Sequence, residues 1–253
     1  ITTKLLNLLN IRYCILKNHK DLKKVKKILD YAKKNKTPVA CLVKKNTFSS
    51  SVKIKRKVKS SGILRHVLLK KFLNKINKKT KIISTTGFTS RELFQIRQNH
   101  NLKKGKDFYM VGGMGHSSMV ALGVSNQMKN KEVVCLDGDG SLLMHMGSIA
   151  NIGFYGKTNF KHIVFNNFCH ESVGGQDTNI EKVSIKKVFL GFGYKKYFYL
   201  NSHNKIEITL KKFLSSKGPS ILEVITKFGS ISNLTRPKKL LDVKKNFIDS
   251  KEK

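Results

Sequence analysis

Short apolar runs alternate with segments of helix length along most of the chain. In the first part, the apolar runs 12–16 and 38–43 flank a stretch in which apolar residues recur at helical spacing from Leu22 to Ala32. A strand, a helix and a strand of these lengths predict a βαβ unit with parallel strands. Because one such unit leaves both faces of its sheet largely uncovered, residues 1–45 are expected to be the C-terminal remnant of a larger α/β domain.

The alternation becomes regular after residues 46–62, a polar, serine-rich and charged stretch that is typical of a linker. Residues 63–253 contain five apolar runs of strand length, and a segment of helix length follows each of them. This repetition predicts an α/β fold, a doubly wound parallel sheet with helices on both faces. The predicted strands are 81–86, 133–138, 162–167, 196–200 and 220–226, and the predicted helices are 63–77, 90–98, 116–127, 141–154, 184–191, 204–215 and 238–248.

The net charge of +36 raises the question of a nucleic-acid partner. The basic residues comprise 45 Lys and 6 Arg, and they are spread over almost every predicted helix. Proteins that read nucleic acids tend to use Arg and to interleave aromatic residues with the charge, and the sequence shows neither feature. No nucleic-acid partner is therefore expected, and a Lys-rich nucleic-acid-binding protein is kept as the alternative from another functional class.

Hydropathy and cysteine usage bound the location of the protein. No apolar run approaches the roughly 20 residues that a membrane-spanning helix needs, so no membrane partner is expected. The cysteines Cys14, Cys41, Cys135 and Cys169 lie far apart in the sequence, without a CxxC pair. Three of them fall in apolar, strand-like runs, which favours scattered buried thiols in a reducing compartment. The expected location is the cytoplasm.

Polar residues stand at the ends of two successive predicted strands. The Gly-Asp-Gly run 138–140 ends the strand 133–138, and Asn166 and Asn167 end the next strand. In a parallel α/β sheet, ligands bind beyond the carboxyl ends of the strands. Glycines let backbone N–H groups approach a phosphate, and Ser141 is expected to open a helix there. Carboxylate and amide oxygens suit Mg²⁺, so the two strand ends predict one site for a metal and a diphosphate.

The spacing of these two elements resembles the diphosphate-binding signature of thiamine diphosphate (ThDP) enzymes. In that family the positions of Asp139 and Asn167 bind Mg²⁺ through their side chains, and that of Cys169 binds through its backbone carbonyl. The run 112–115, Gly-Gly-Met-Gly, resembles the loop whose apolar side chain supports the bent cofactor, which implies that role for Met114. The resemblance implies a cofactor site at Thr86, Gly87, Gly112, Gly113, Met114, Gly138, Asp139, Gly140, Ser141 and Asn167, with metal ligands Asp139, Asn167 and Cys169.

Four longer segments resemble the phosphonopyruvate decarboxylase family across nearly the whole chain. They read STTGFTSRELFQIR, MGHSSMVALGV, CLDGDGSLLMHMGSIANIG and HESVGGQDT. The resemblance implies ThDP- and Mg²⁺-dependent decarboxylation of 3-phosphonopyruvate, a small anionic 2-oxo acid, to phosphonoacetaldehyde and CO₂ in phosphonate biosynthesis. It also implies a homo-oligomer with the site shared between subunits. The alternatives within the same chemistry are a sulfopyruvate decarboxylase or another ThDP-dependent 2-oxo acid decarboxylase or carboligase.

Two histidines and one glutamate are the candidate catalytic residues. His116 and His170 fall in loops at predicted strand ends, where general acid–base work or anion binding is expected. Glu171 is expected to pair with either of them. His145, between two methionines on the helix predicted at 141–154, is expected to be a packed helix residue.

Three departures from the family pattern bear on the substrate and the backbone. Phe88 stands where the family commonly has Lys, and Ile231 stands where it has Arg, so two cations are missing. Phe168 and Cys169 replace a Gly-Ala pair, so a backbone position that favours small residues must carry bulky side chains.

The resemblance also identifies residues 1–45 with the end of the family's pyrimidine-binding domain, and 63–253 with its pyrophosphate-binding domain. ThDP enzymes use a Glu of the pyrimidine-binding domain to protonate the cofactor ring. Residues 1–45 contain no Glu. The chain is therefore expected to be the C-terminal part of a longer protein and to be inactive alone.

Overall fold

The computed structural model describes residues 1–49, 61–99, 107–128 and 131–248. The chain divides into two compact units, Ile1–Lys55 and Arg56–Lys253. Each unit is built on its own parallel sheet. Most of the linker predicted at 46–62 lies outside the described residues. Among the helices that the structure describes, none has the length and apolar character needed to cross a membrane.

The first unit contains the predicted βαβ arrangement and one additional helix at its start. The two strands are parallel, with Arg12 opposite Val39 and Leu16 opposite Val43. The connecting helix buries Ile28 and presents its lysines to solvent. Its amphipathic pattern therefore matches its position against the sheet. The elements are α1 (Thr2–Leu8), β1 (Arg12–Leu16), α2 (Leu22–Asn35) and β2 (Val39–Val43).

The second unit is the doubly wound α/β fold that the sequence predicts. Six parallel strands form one sheet in the order β4-β3-β5-β6-β8-β7. The strands are β3 (Lys81–Ser84), β4 (Asp107–Tyr109), β5 (Val133–Gly138), β6 (Phe160–Asn166), β7 (Lys196–Leu200) and β8 (Ser220–Ile225). The helices are α3 (Arg65–Lys75), α4 (Phe88–Asn99), α5 (Ser117–Gln127), α6 (Asp139–Met144), α7 (Ile149–Tyr155), α8 (Ile185–Gly191), α9 (Ile206–Ser215) and α10 (Leu240–Ile248).

Two buried apolar clusters lie on opposite faces of this sheet. Along β5, Val134 and Leu136 belong to one cluster, and Val133 and Cys135 belong to the other. Successive strand residues point to opposite faces, so apolar side chains at every position require helices on both sides. The continuous apolar runs of the central strands are explained by this double burial.

The structure corrects two predicted elements near the carboxyl ends of the strands. The strand predicted at 81–86 ends at Ser84, because the carbonyl of Thr85 accepts a hydrogen bond from Ser90 Oγ at 2.6 Å and turns toward α4. The single helix predicted at 141–154 is two helices, α6 and α7, and α6 begins at Asp139. They are separated at His145, whose backbone angles (φ −138°, ψ 43°) are not helical.

Candidate active site

The two polar strand ends meet at one edge of the sheet. Strands β5 and β6 are parallel neighbours, and Gly138 is the register partner of Phe165. Asp139 and Asn167 therefore follow adjacent strands at the same end. Both side chains line a cavity, as the sequence predicts for a site beyond the carboxyl ends of the strands. Other residues at its wall include Arg65, Thr86, Met114, Cys169, His170 and Glu171.

Asp139 is a carboxylate almost removed from water, with 3% of its surface exposed. Thr178 donates its hydroxyl to Asp139 Oδ2 at 2.8 Å. Burial raises the pKa of Asp139 to about 6, although the Thr178 hydroxyl and nearby backbone N–H groups lower it. A carboxylate in this environment is costly unless a cation or hydrogen bonds offset its desolvation, so the position favours a bound metal ion.

The amide of Asn167 is held in one orientation from both sides. Its Nδ2 donates to Glu171 Oε2 at 2.9 Å, and the N–H of Cys169 donates to its Oδ1 at 3.2 Å. A carboxylate accepts and does not donate, so the contact with Glu171 identifies which end of the amide is nitrogen. Asn167 therefore keeps its oxygen away from Glu171.

Glu171 is tied to a guanidinium and not to a histidine, so the expected pairing with His116 or His170 is wrong. Arg65 Nη2 donates to Glu171 Oε2 at 2.7 Å, and the N–H of Gly229 donates to Oε1 at 2.5 Å. The carboxylate thus has strong donors on both oxygens. These contacts hold the Glu171 carboxylate beside the amide of Asn167.

Arg65 is a site residue that sequence reasoning missed. It is the first residue of α3, it is 4% exposed, and it lies between two buried carboxylates, Glu171 and Glu92. Its Nε is 3.5 Å from Glu92 Oε2. Burial raises the pKa of Glu92, and the charge of Arg65 lowers it. One signal was available, because Arg is rare in this Lys-rich chain and provides the planar fork that buried carboxylates require.

Ser141 joins three loops of the site. Its hydroxyl lies 2.8 Å from Thr85 Oγ1 and accepts the N–H of Gly115 at 3.0 Å. Ser141 was predicted to open a helix, but α6 begins two residues earlier, at Asp139. Its hydroxyl instead holds the glycine loop 112–115 against the Gly-Asp-Gly run.

Gly115 has no room for a side chain. Its φ is +90°, in the region that favours glycine, and an added Cβ would lie 2.4 Å from His145 Nδ1 and 3.1 Å from the Ser141 carbonyl oxygen. The nearby Gly112 and Gly113 also have positive φ angles. The loop therefore depends on glycine, which agrees with the resemblance to the cofactor-supporting loop, and it places Met114 at the cavity wall.

Of the three histidines considered from the sequence, His170 lies at the cavity, and His116 and His145 lie against each other. His170 lines the cavity and packs on the backbone of Gly140, where an added Cβ would lie 2.5 Å from its Nδ1. His116 precedes α5, is exposed, and has its ring centroid 4.2 Å from that of His145. The expectation that His145 is a packed helix residue is wrong, because it is exposed and stands at the break between α6 and α7.

The departures from the family pattern have clear positions in the structure. Phe88 begins α4 and lines the cavity, whereas the side chain of Ile231 packs against a core cluster. Phe168 has a φ of +63°, a conformation that costs a residue other than glycine about 1–2 kcal/mol. Its partly buried ring packs against the other core cluster. Phe168, the bulky residue that replaces a small one of the family pattern, therefore has a left-handed backbone conformation.

The residues present fit a ThDP–Mg²⁺ group. A carboxylate from Asp139, an amide oxygen from Asn167 and the carbonyl of Cys169 are hard oxygen donors of the kind that Mg²⁺ prefers. Gly138 lines the cavity, and a Cβ added there would have open space around it. The absence of a side chain at that position leaves room beside Asp139 for a phosphate group. Thr86 lines the same cavity, and Gly87 follows it with a φ of +99°.

Comparison with known proteins gives the same family. A family model described as "Thiamine pyrophosphate enzyme, C-terminal TPP binding domain" matches residues 85–224 (thiamine pyrophosphate is thiamine diphosphate). The solved structure of a ThDP-dependent 4-hydroxybenzoylformate decarboxylase from Rhodococcus jostii RHA1 is similar, with a TM-score of 0.56 and 16% identity. The similarity covers 75% of this chain and 36% of that one, and at this identity it shows the fold.

Two relatives are similar in sequence. Phosphonopyruvate decarboxylase of Streptomyces viridochromogenes is 35% identical over 67% of this chain and 41% of its own length. Sulfopyruvate decarboxylase subunit beta of Methanococcus maripaludis is 31% identical over 56% of this chain and 72% of its own length. The chain thus spans about two fifths of the first relative. The family model covers more than half of the chain, and the chain therefore belongs to the thiamine pyrophosphate enzymes, whose C-terminal TPP-binding domain it contains.

Proposed function

We propose that this chain provides the ThDP- and Mg²⁺-binding part of a decarboxylase that converts 3-phosphonopyruvate to phosphonoacetaldehyde and CO₂. The observation that carries the proposal is the placement of buried Asp139 beside Asn167, at the ends of adjacent strands and next to the open space at Gly138. The similarity to the Streptomyces phosphonopyruvate decarboxylase supports the choice of substrate.

In this proposal the metal is held by the side chains of Asp139 and Asn167 and by the carbonyl of Cys169. Bound ThDP supplies the electron sink that allows CO₂ to leave a 2-oxo acid. Thr86 and Gly87 help to hold the diphosphate, together with the run 138–140. Met114, at the cavity wall, supports the cofactor in its bent shape.

The histidines are proposed to act on the substrate. His170 is at the cavity wall, where its imidazole is placed to exchange a proton with the reacting acid or to contact the anionic tail. His116 follows the glycine loop and is accessible to solvent. Glu171, the third catalytic candidate, is proposed to act by positioning Asn167, because its oxygens accept hydrogen bonds from Arg65, Asn167 and Gly229.

The strongest alternative substrate is sulfopyruvate, and the similarity to the Methanococcus sulfopyruvate decarboxylase subunit favours it. Both acids have an anionic tail next to the 2-oxo group. The family cations are absent at Phe88 and Ile231, so other groups must recognise that tail. The net charge of +36 would favour capture of either anion over long distances.

The cellular setting is proposed with the substrate. A phosphonopyruvate decarboxylase acts in phosphonate biosynthesis, and we place this protein in the cytoplasm. We also propose a homo-oligomer in which a second subunit completes the active site, as the family resemblance implies. Neither nucleic acid nor membrane is a proposed partner.

Isothermal calorimetry tests the cofactor site. The chain should bind ThDP in the presence of Mg²⁺ and should lose most of this affinity in EDTA. Asp139→Ala should abolish Mg²⁺-dependent binding, whereas Asp30→Asn, on a solvent-exposed face of α2, should leave it unchanged. Equal ThDP affinity for the wild-type chain and Asp139→Ala would disprove the site.

A coupled aldehyde assay then tests the substrate. The chain would be fused behind a complete pyrimidine-binding domain from the Streptomyces relative, and this fusion is called the complemented chain. It would be given phosphonopyruvate, sulfopyruvate and pyruvate in parallel. The highest kcat/KM is expected for phosphonopyruvate. A preference for sulfopyruvate would select the alternative, and no release of CO₂ from any of the three acids by a ThDP-loaded fusion would contradict the reaction class.

A further inference from the structure

Two cysteines that are far apart in the sequence meet in the first unit. Cys14 on β1 is the register partner of Cys41 on β2, and their sulfur atoms are 3.6 Å apart. The prediction of scattered buried thiols is therefore wrong for this pair, since the two sulfurs are neighbours and Cys41 is exposed. The two cysteines meet because the α2 connection makes β2 run parallel to β1, which places residues 27 positions apart side by side.

The pair is accessible from solvent. Cys41 is exposed and Cys14 is partly exposed, whereas Cys135 is buried in the second unit. Burial and the neighbouring Cys41 raise the pKa of Cys14, and the charge of Lys24 lowers it. Cys14 also lines a groove with Arg12, Lys24 and Lys27. These cations attract anionic reagents.

The backbone geometry permits a bond between the two sulfurs. Neighbouring strands lie about 4.8 Å apart, which puts register partners at the short end of the roughly 4.4–6.8 Å range of Cα separations in disulfides. The sulfurs must approach from 3.6 Å to a bonding distance of about 2.05 Å, a change that small side-chain rotations supply.

We propose that Cys14 and Cys41 form a redox-active dithiol that small anionic disulfides, such as glutathione disulfide, convert to an intramolecular disulfide. The Cys41 thiolate attacks one sulfur of the reagent, forming a mixed disulfide and releasing one small thiolate. The Cys14 thiolate then attacks the Cys41 sulfur, forming the Cys14–Cys41 bond and releasing the second small thiolate. Two electrons pass from the protein to the reagent, and the two thiol protons end on the released thiols.

The bond would act on the stability of the first unit. Joining the strands closes a loop that contains α2 and restricts local unfolding. Oxidation should therefore slow proteolytic cleavage within residues 1–49 and leave cleavage of the second unit unchanged.

The test begins with the reduced full chain and glutathione disulfide, followed by intact mass and peptide mapping. The expected product has lost the mass of two hydrogen atoms, contains a Cys14–Cys41 linked peptide, and returns to the dithiol with dithiothreitol. Cys14→Ser should stop at a stable glutathione adduct on Cys41. Cys169→Ser, which removes the partly exposed cysteine of the other unit, should oxidise like the wild type.

A second measurement separates proximity from reactivity. A trivalent arsenical such as phenylarsine oxide bridges two adjacent thiols, so one arsenic should bind across Cys14 and Cys41 in the reduced chain. Either serine variant should lose this bridged adduct. A persistent mixed disulfide in the wild type, a linkage through Cys135 or Cys169, or no arsenical bridge at Cys14 and Cys41 would overturn the proposal.

Discussion

Arg65 and Glu171 form an ion pair with 2.7 Å between Nη2 and Oε2, and each side chain is 5% exposed. The two residues are separated by 106 positions, and the pair connects the start of α3 to the loop after β6. The same carboxylate oxygen accepts the amide N–H of Asn167. A helix on one face of the sheet thereby orients a residue proposed to bind the metal.

Loss of the Arg65 charge should reduce stability sharply. Arg65→Met leaves Glu171 and Glu92 buried near each other without their shared cation, and the expected loss is about 3–5 kcal/mol of unfolding free energy. Lys71→Met, on the same helix, is the matched control. It breaks a pair with Glu207 that is about half exposed, and it should change the free energy of unfolding little, because solvent screens exposed pairs. Urea denaturation followed by circular dichroism measures both.

Arg65→Lys keeps the charge of Arg65 but not its two-sided geometry, so it should recover part of the stability lost in Arg65→Met. If Arg65→Met and Lys71→Met cost the same free energy, the buried pair contributes nothing beyond a surface pair.

Glu171→Gln should weaken the metal site while keeping the shape of the side chain. The amide oxygen can still accept from Asn167, but the charge that holds Arg65 is gone, and the orientation of Asn167 is less restricted. Supporting residues of this kind typically change metal affinity by about 10–100-fold, so a loss near the lower end is expected. Titration of Mg²⁺ at fixed ThDP measures it. Glu207→Gln, an exposed carboxylate of α9, should leave Mg²⁺ affinity unchanged, and an unchanged value for Glu171→Gln would contradict the positioning role.

Sequence reasoning found the parts of the site that follow strands directly. Asp139 and Asn167 end apolar runs, and parallel strands bring such ends together whatever the details of packing. The sheet itself was predictable for the same reason, because its central strands are apolar at successive positions. The rarity of Arg marked Arg65 as unusual, but its partner Glu171 was not predictable, since the distance between them depends on how α3 packs across the sheet.

Two other misses have the same physical origin. The break at His145 lies where its imidazole approaches Gly115 of another loop, a contact that periodicity within the run 141–154 does not report. The meeting of Cys14 with Cys41 depends on strand register, which the length of the α2 crossover fixes. Periodicity reports which face a residue occupies, but it does not report which residue of another element lies opposite.

Gly115→Ala should disrupt the glycine loop. A side chain at φ +90° is strained by about 1–2 kcal/mol, and its Cβ would collide with His145 and the Ser141 carbonyl. The loop must shift, so ThDP affinity should fall at least tenfold by calorimetry. Gly123→Ala is the matched control within α5, where an added Cβ meets open space. It should gain about 0.5–1 kcal/mol in stability with no loss of ThDP affinity. Normal ThDP binding by Gly115→Ala would show that the loop does not contact the cofactor.

His116→Ala should separate substrate chemistry from cofactor binding. His116 follows the glycine loop, but its side chain is exposed and is not part of the wall that surrounds Asp139. We expect kcat for phosphonopyruvate in the complemented chain to fall by about 100-fold, the lower end for loss of a general acid or base, while ThDP affinity stays within a few-fold. His203→Ala, an exposed histidine before α9, should change neither value. Loss of ThDP binding with normal turnover per bound cofactor would contradict this role.

The isolated 253-residue chain should bind the cofactor without turning over substrate. The resemblance to ThDP enzymes implies that a Glu of the pyrimidine-binding domain must protonate the cofactor ring, and residues 1–45 contain no Glu. The two acidic residues of this stretch are Asp21, which precedes the Lys-rich helix α2, and Asp30, which lies within it. Asp21 forms an ion pair with Lys24 at 2.5 Å.

Fusion to a complete pyrimidine-binding domain should therefore restore CO₂ release, and the same fusion with its activating Glu replaced by Gln should bind ThDP and remain inactive. Steady turnover by the isolated chain would mean that another group activates the cofactor.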